Sequence, residues 1–151
     1  MKPTPAGWPR FSNAVVYRDA AAAIDWLCDA FGFELRLRVE GEGGRIEHSE
    51  LTYGEGLLMV AQEDTASAKV WKRQLRSPAS LQGLSTQSLM FFVDDVQAHC
   101  AHAAARGARI VEPLATHDYG EDYWTDRSYG ALDPEGHIWW VTQRMHTGGG
   151  A

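Results

Sequence analysis

The sequence predicts an α+β protein built from two tandem βαβββ modules. Three observations carry that prediction. Residues 11–61 read as a strand, a helix and three more strands, and residues 88–143 repeat the order. Both helical segments start at an aspartate and stop at a glycine with the same spacing, Asp19 to Gly32 and Asp94 to Gly107. Segments of period 2 and period 3.6 that recur at a fixed offset are the mark of an internal duplication. The chain then divides into an N-terminal extension (1–10), a first module (11–64), a linker (65–84), a second module (85–145) and a flexible tail (146–151).

Each element has a local reason. Phe11 to Arg18 is rich in β-branched and aromatic residues, as strands are. Asp19 is placed to cap a helix, its carboxylate accepting from the first free backbone amides. Ile24, Leu27, Cys28 and Phe31 fall on one helical face, and Gly32 ends the helix by taking the left-handed conformation. Phe33 to Glu40 alternates apolar with charged, a strand with one wet face. Gly41 to Gly44 turns the chain into a hairpin with Arg45 to Tyr53. After Gly54-Glu55-Gly56, the apolar run Leu57 to Ala61 reads as a strand buried on both faces. The linker is polar, broken by Pro78 and Gly83, with a short basic patch at Trp71, Lys72, Arg73 and Arg76.

In the second half, Ser88 to Val93 is a strand, and Asp94 or Asp95 caps a helix with Val96, His99, Cys100 and Ala103 on one face. His99 there reads as a satisfied core histidine and His102 as an exposed one. Arg109 to Pro113, Thr125 to Leu132 and His137 to Gln143 are the remaining strands. His117 to Arg127 is expected to be an extended aromatic loop.

Composition narrows the class of protein. The 151 residues are 44% hydrophobic and 23% charged, which excludes a disordered, collagen-like or disulfide-scaffold chain. A net charge of −6 repels phosphate backbones, so nucleic acid is not an expected partner. No apolar run reaches the ~20 residues of a membrane span, and Met1 to Arg10, with three prolines, does not read as a signal peptide. Cys28 and Cys100 lack metal-binding spacing and read as buried, inert thiols. A cytoplasmic location is expected.

The most specific segments are Tyr17-Arg18-Asp19, Phe31-Gly32-Phe33, Phe92-Val93-Asp94-Asp95 and the closing run Leu132-Asp133-Pro134-Glu135-Gly136-His137-Ile138-Trp139-Trp140. The D-P-x-G turn in that run has a physical basis, because proline presets one turn dihedral and glycine supplies a left-handed position. At the end of a duplicated βαβββ pattern, it resembles the glyoxalase/bleomycin-resistance proteins of the vicinal oxygen chelate superfamily. The resemblance spans Phe11 to about Arg144 and implies two curled mixed sheets around a ligand cleft, in a homodimer.

The resemblance also implies where a metal would sit: four side chains, one from the first and last strand of each module, normally His, Glu or Gln. Counting four residues beyond Gly56 and Gly136, those positions are Ser12, Val60, Ser88 and Trp140. One-residue slips bring in Asn13, Met59, Gln87, Leu89, Trp139 and Val141. None restores a set of hard donors, so no metal or other cofactor is expected. The cleft-facing side chains on this mapping are Ala14, Val16, Leu58, Val60, Met90, Phe92, Ile138 and Trp140. The opposite parity, with Val15, Tyr17, Leu57, Met59, Leu89, Phe91, Trp139 and Val141, packs under the helices.

The expected ligand site is therefore an apolar trough of Val16, Leu58, Val60, Met90, Phe92 and Trp140, joined by Tyr119, Tyr123 and Trp124 from the aromatic loop. Aromatic faces beside carboxylates suit a planar or cationic small molecule. The alternative is a glyoxalase-like lyase or dioxygenase-related enzyme with a displaced site using His48, Glu50 or His117. His48 and Glu50 share a strand face, although a wet face alone explains them.

Overall fold

The computed structural model describes residues 1–149 and divides into two units, residues 1–83 and the residues from 84 on. Each unit contains one βαβββ motif and one four-stranded mixed sheet.

The first unit runs β1 (Asn13–Tyr17), α1 (Ala20–Phe31), β2 (Glu34–Glu40), β3 (Ile46–Tyr53) and β4 (Gly56–Gln62), with sheet order β1-β4-β3-β2. β1 pairs parallel with β4, and the other pairs are antiparallel. α1 starts and stops where the sequence signals lie. Asp19 Oδ1 accepts from the Ala22 amide at 3.0 Å, and Gly32 closes the helix at φ 79°. The helix buries Ala20, Ile24, Leu27 and Phe31, and on the same side of the sheet Val15, Tyr17, Leu51, Leu58 and Val60 are lost to solvent. On the other face of β4 Leu57 is buried too, but Met59 and Ala61 are partly exposed, so the expected double burial holds only at its start.

The polar segment after β4 folds back on this unit. Glu63 accepts from the Ser77 amide at 2.5 Å and from Ser80 Oγ at 3.0 Å, and pairs with Arg76 Nε at 3.2 Å. Those bonds anchor the chain on both sides of Pro78 and so fix the short helix α2 (Val70–Gln74) between two tethered ends. At the other end of the chain, Arg36 Nη1 donates to Gly7 O at 2.5 Å, and its guanidinium lies 5.3 Å from the Trp8 ring centre.

The second unit runs β5 (Ser88–Phe92), α3 (Val96–Ala105), β6 (Arg109–Asp118), β7 (Trp124–Leu132) and β8 (Ile138–Thr147), with the matching order β5-β8-β7-β6. Asp95, rather than Asp94, caps α3, its Oδ1 accepting from Ala98 N at 2.9 Å. His99 is satisfied as a core histidine: Nδ1 lies 2.8 Å from Tyr129 Oη, and the ring meets Phe91 edge-on at 5.6 Å.

Two expectations for this unit are corrected. The segment 117–127 is loop only at 119–123, the turn of a long hairpin in which His117 pairs with Asp126 and Asp118 with Thr125. β6 continues through Pro113 because it is an edge strand and its register slips between Glu112 and Ala115, so the missing amide costs no ladder bond. β8 also runs on to Thr147, into the segment expected as tail. Thr147 pairs with Trp124, and the Gly148 amide donates to Tyr123 O; Gly150 and Ala151 lie outside the described residues.

Both cysteines are partly buried on helices. Burial pushes both thiols above their ordinary pKa, and at Cys28 the nearby Asp25 charge raises it further against an opposing backbone hydrogen bond from Leu35. A raised pKa lowers the thiolate fraction, the reactive form, at any pH below it. At pH 8 the native protein is expected to react with a thiol reagent more slowly than the urea-unfolded chain. Equal rates would mean that neither thiol is shielded.

Candidate ligand-binding site

The sheet of the first unit leaves the face opposite α1 open, and its register decides what that face presents. Ala14 lies beside Met59 and Val16 beside Ala61; Glu50 lies beside Met59, and Leu37 and Val39 beside Glu50 and His48. Side chains in one lateral row share a face. A cavity of about 250 Å³ opens here, with Ala14, Val16, Met59 and Ala61 at its floor, His48 at one side, and Trp71 of α2 across from it.

This register corrects the expected trough. Leu58 and Val60 belong to the α1 side, 5% and 0% exposed, while Met59 and Ala61 take the open positions. The error has a local cause. The β3–β4 turn is only Gly54-Glu55, so Gly56 is already in the strand, paired with Tyr53. The β7–β8 connection is longer, and Gly136 sits within the turn at φ 95°. Counting from the two glycines thus lands on opposite faces in the two units. Val60, though completely buried, still borders the cavity.

The polar end of the open face is a chain of paired groups. Glu50 Oε2 meets Arg36 Nε at 3.3 Å and Glu50 Oε1 meets His48 Nε2 at 3.1 Å. The Glu50 side chain is 7% exposed, against 42% for His48. A carboxylate this buried requires compensation for lost hydration, and Arg36, itself held by Gly7 O and Trp8, supplies it. Sequence reasoning places His48 and Glu50 on one strand face and misses Arg36 and Trp8. Arg36 is hidden in the alternation of β2, where a register shift between Leu35 and Leu37 turns it toward Glu50.

In the second unit, Leu89, Trp139 and Val141 are buried on the α3 side, whereas Met90, Phe92 and Trp140 are 57%, 45% and 36% exposed on the other face. Trp140 lies opposite Gly130, where a Cβ would come within 3.4 Å of its ring and 3.1 Å of Glu112 Cβ. The missing side chain leaves room for the indole against the sheet. Beyond it, Arg144 lies 5.4 Å from the Phe92 ring centre and 5.1 Å from that of Trp124, while pairing with Asp126 at 2.5 Å. Trp124 also contacts Tyr119 at 5.9 Å and Tyr123 at 6.1 Å, so the hairpin tip is an aromatic cluster. His117 stacks obliquely on Tyr119 at 6.5 Å.

The profile of the Glyoxalase/Bleomycin resistance protein/Dioxygenase superfamily matches residues 12–141. The chain belongs to this superfamily. An uncharacterized protein of Mycobacterium bovis, Mb0911c, is 31% identical over 135 residues, covering 89% of this chain and 83% of the relative. Among solved structures, TioX from Micromonospora sp. ML1 is 30% identical with a TM-score of 0.66, covering 89% of this chain and 95% of that one. The integron cassette protein VCH_CASS1 of V. cholerae, at 17% identity and TM-score 0.62, shares the fold over 95% of this chain and 97% of its own.

Of the superfamily metal positions inferred from the sequence, Val60 is buried on the α1 side and Trp140 is on an open face. The row that carries Trp140 in the second unit also holds Met90, and its counterpart in the first unit holds Ala14 and Met59. Among the described residues, no three His, Cys, Asp or Glu side chains gather closely enough to hold a metal ion. Nor is any helix among them long and apolar enough to cross a membrane.

Proposed function

We propose that this superfamily member, without the usual metal ligands, binds a small planar aromatic or cationic molecule. The cavity on the open face of the first sheet carries this reading: an apolar floor, an indole wall at Trp71 and an imidazole at His48. Such a combination suits a flat ring with one polar edge. The exposed Met90, Phe92 and Trp140, and the hairpin aromatics Tyr119, Tyr123 and Trp124, support the same chemistry in the second unit. Val16 contributes to the first-unit floor. A cytoplasmic homodimer is part of the proposal; equilibrium sedimentation at the monomer mass would remove that part.

The test is calorimetric titration of the protein with a panel of planar aromatic and aromatic-cation compounds. At least one is expected to bind, and Trp71→Ala should weaken it about tenfold, the value of one aromatic contact. Absence of binding across the panel would reject the reading. A second reading, a lyase or dioxygenase-related activity at a displaced site, is favoured by one observation, the His48–Glu50 contact of 3.1 Å at the cavity. Stoichiometric metal on the purified protein, lost in His48→Ala, would move the conclusion to that reading.

A further inference from the structure

We infer that His48 Nδ1 is a hydrogen-bond acceptor built into the first-unit cavity, selecting ligands that carry a phenolic O–H or ring N–H on the edge of the planar group. The inference rests on the reading of that cavity as the ligand site and adds which chemistry it recognises.

The argument is one of donors and acceptors. Glu50 is buried, and one of its oxygens is ion-paired with Arg36 Nε, so the carboxylate is an acceptor only. The atom facing its other oxygen at 3.1 Å, His48 Nε2, must therefore be the one that carries hydrogen. In the neutral imidazole that leaves the lone pair on Nδ1. Nδ1 has no partner within the described chain, while the His48 ring borders the cavity and is 42% exposed. An imidazole held by a buried carboxylate on one nitrogen, with the other nitrogen unpartnered, is an oriented acceptor rather than a mobile surface histidine.

Three contacts keep it oriented. Arg36 is restrained by its bond to Gly7 O and by the Trp8 ring, and it restrains Glu50 in turn. The remaining polar groups at the cavity do not duplicate the role. Glu47 and Asp64 both face Arg45, at 3.3 and 3.6 Å, and Lys72 lies 5.9 Å from the Trp71 ring centre. A lysine ammonium donates and cannot accept, and the two carboxylates are turned to Arg45, so a donor that they bound in place of His48 would keep its preference in His48→Phe. Among neutral acceptors at the cavity, Gln62 is already committed, its Oε1 accepting from the Ile46 amide at 3.4 Å.

The test compares 2-naphthol with 2-methoxynaphthalene, which share the ring and differ in the O–H. Calorimetric titration of the full chain is expected to show about a tenfold preference for 2-naphthol, the value of one well-placed hydrogen bond. His48→Phe keeps a flat ring without an acceptor and should bind both compounds alike. His48→Gln restores an acceptor and should regain part of the preference. Equal affinity of the wild-type protein for the two compounds, or a preference that survives in His48→Phe, overturns the role of Nδ1 while leaving the cavity as the site. Failure of both naphthalenes to compete with a ligand found by the panel overturns the role as well, because the donor is then not what the cavity reads. Failure of every compound rejects the cavity reading itself. Thermal unfolding of both variants checks that they fold.

Discussion

Replacing Asp133 by alanine is expected to cost about 3–5 kcal/mol of stability, the largest effect of any single substitution on a polar residue of this chain. Asp133 is 4% exposed, and its carboxylate organises the turn into β8. Oδ1 accepts from the amides of Glu135, Gly136 and His137 at 3.0, 2.9 and 3.0 Å, and Oδ2 accepts from Trp139 Nε1 at 3.0 Å. Alanine removes the carboxylate acceptor from all four donors, although the Gly136 amide keeps the Asp133 carbonyl at 3.0 Å. The indole N–H suffers most, because Trp139 is only 1% exposed. Asp133→Asn retains an oxygen for the turn but directs an NH₂ toward the indole N–H, so an intermediate loss of about 2 kcal/mol is expected. Urea unfolding measures both. A double-mutant cycle with Trp139→Phe sharpens the result, since removing the indole N–H should make Asp133→Asn less costly. A loss below about 1 kcal/mol in Asp133→Ala would show that water satisfies these donors.

The second large effect concerns binding. Ala14→Trp places an indole on the cavity floor, in the row of Met59 and Glu50. Affinity for any ligand of this cavity should fall more than about a hundredfold, because the space is only about 250 Å³. Stability should change by no more than about 0.5 kcal/mol, since Ala14 is exposed. Calorimetry on the compound found by the panel reads the first quantity and urea unfolding the second. Affinity within about threefold of wild type would place the ligand elsewhere, with the open face around Trp140 the next position to probe.

Much of the fold was legible because its signals are local. The cap at Asp19 and the left-handed stop at Gly32 each depend on a few consecutive residues. The apolar strand run from Ser88 and the D-P-x-G turn do as well. Where the reading failed, a distant partner decided the outcome. Pro113 looked like a strand end, yet an edge position and a slipped register let β6 run on to Asp118. His117 to Arg127 looked like a loop because turn residues and aromatics crowd there; only 119–123 connect the two strands, and the pairing of His117 with Asp126 cannot be seen from either strand alone. The basic patch at Trp71 reads as a solvated helix turn with one aromatic docked on the body, and a short helix, α2, does lie there; only its anchoring depends on a distant partner. Glu63, bonded across to Ser77 and Ser80, is what holds that turn beside the open sheet.

For the candidate site the division is similar. Phe92, Met90, Ala14 and Val16 were assigned to the open faces correctly from parity within a strand. Leu58 and Val60 were not, because parity between strands depends on the length of the turn that joins them, and the two units use different turns. His48 and Glu50 were visible as neighbours on a face. Their partner Arg36 was not, since a bulge reverses its direction in β2.

By itself the sequence determined the superfamily, the repeated βαβββ order, the start of α1 and, to within one residue, that of α3, and the turn that precedes β8, all of which follow from interactions between residues close along the chain. Only the tertiary structure decided which face each strand of the first unit presents, what α2 covers, and that Glu50 is buried between Arg36 and His48. The reason is that register, bulges and ion pairs are set between strands, and a one-residue difference in a turn exchanges the two faces of a sheet.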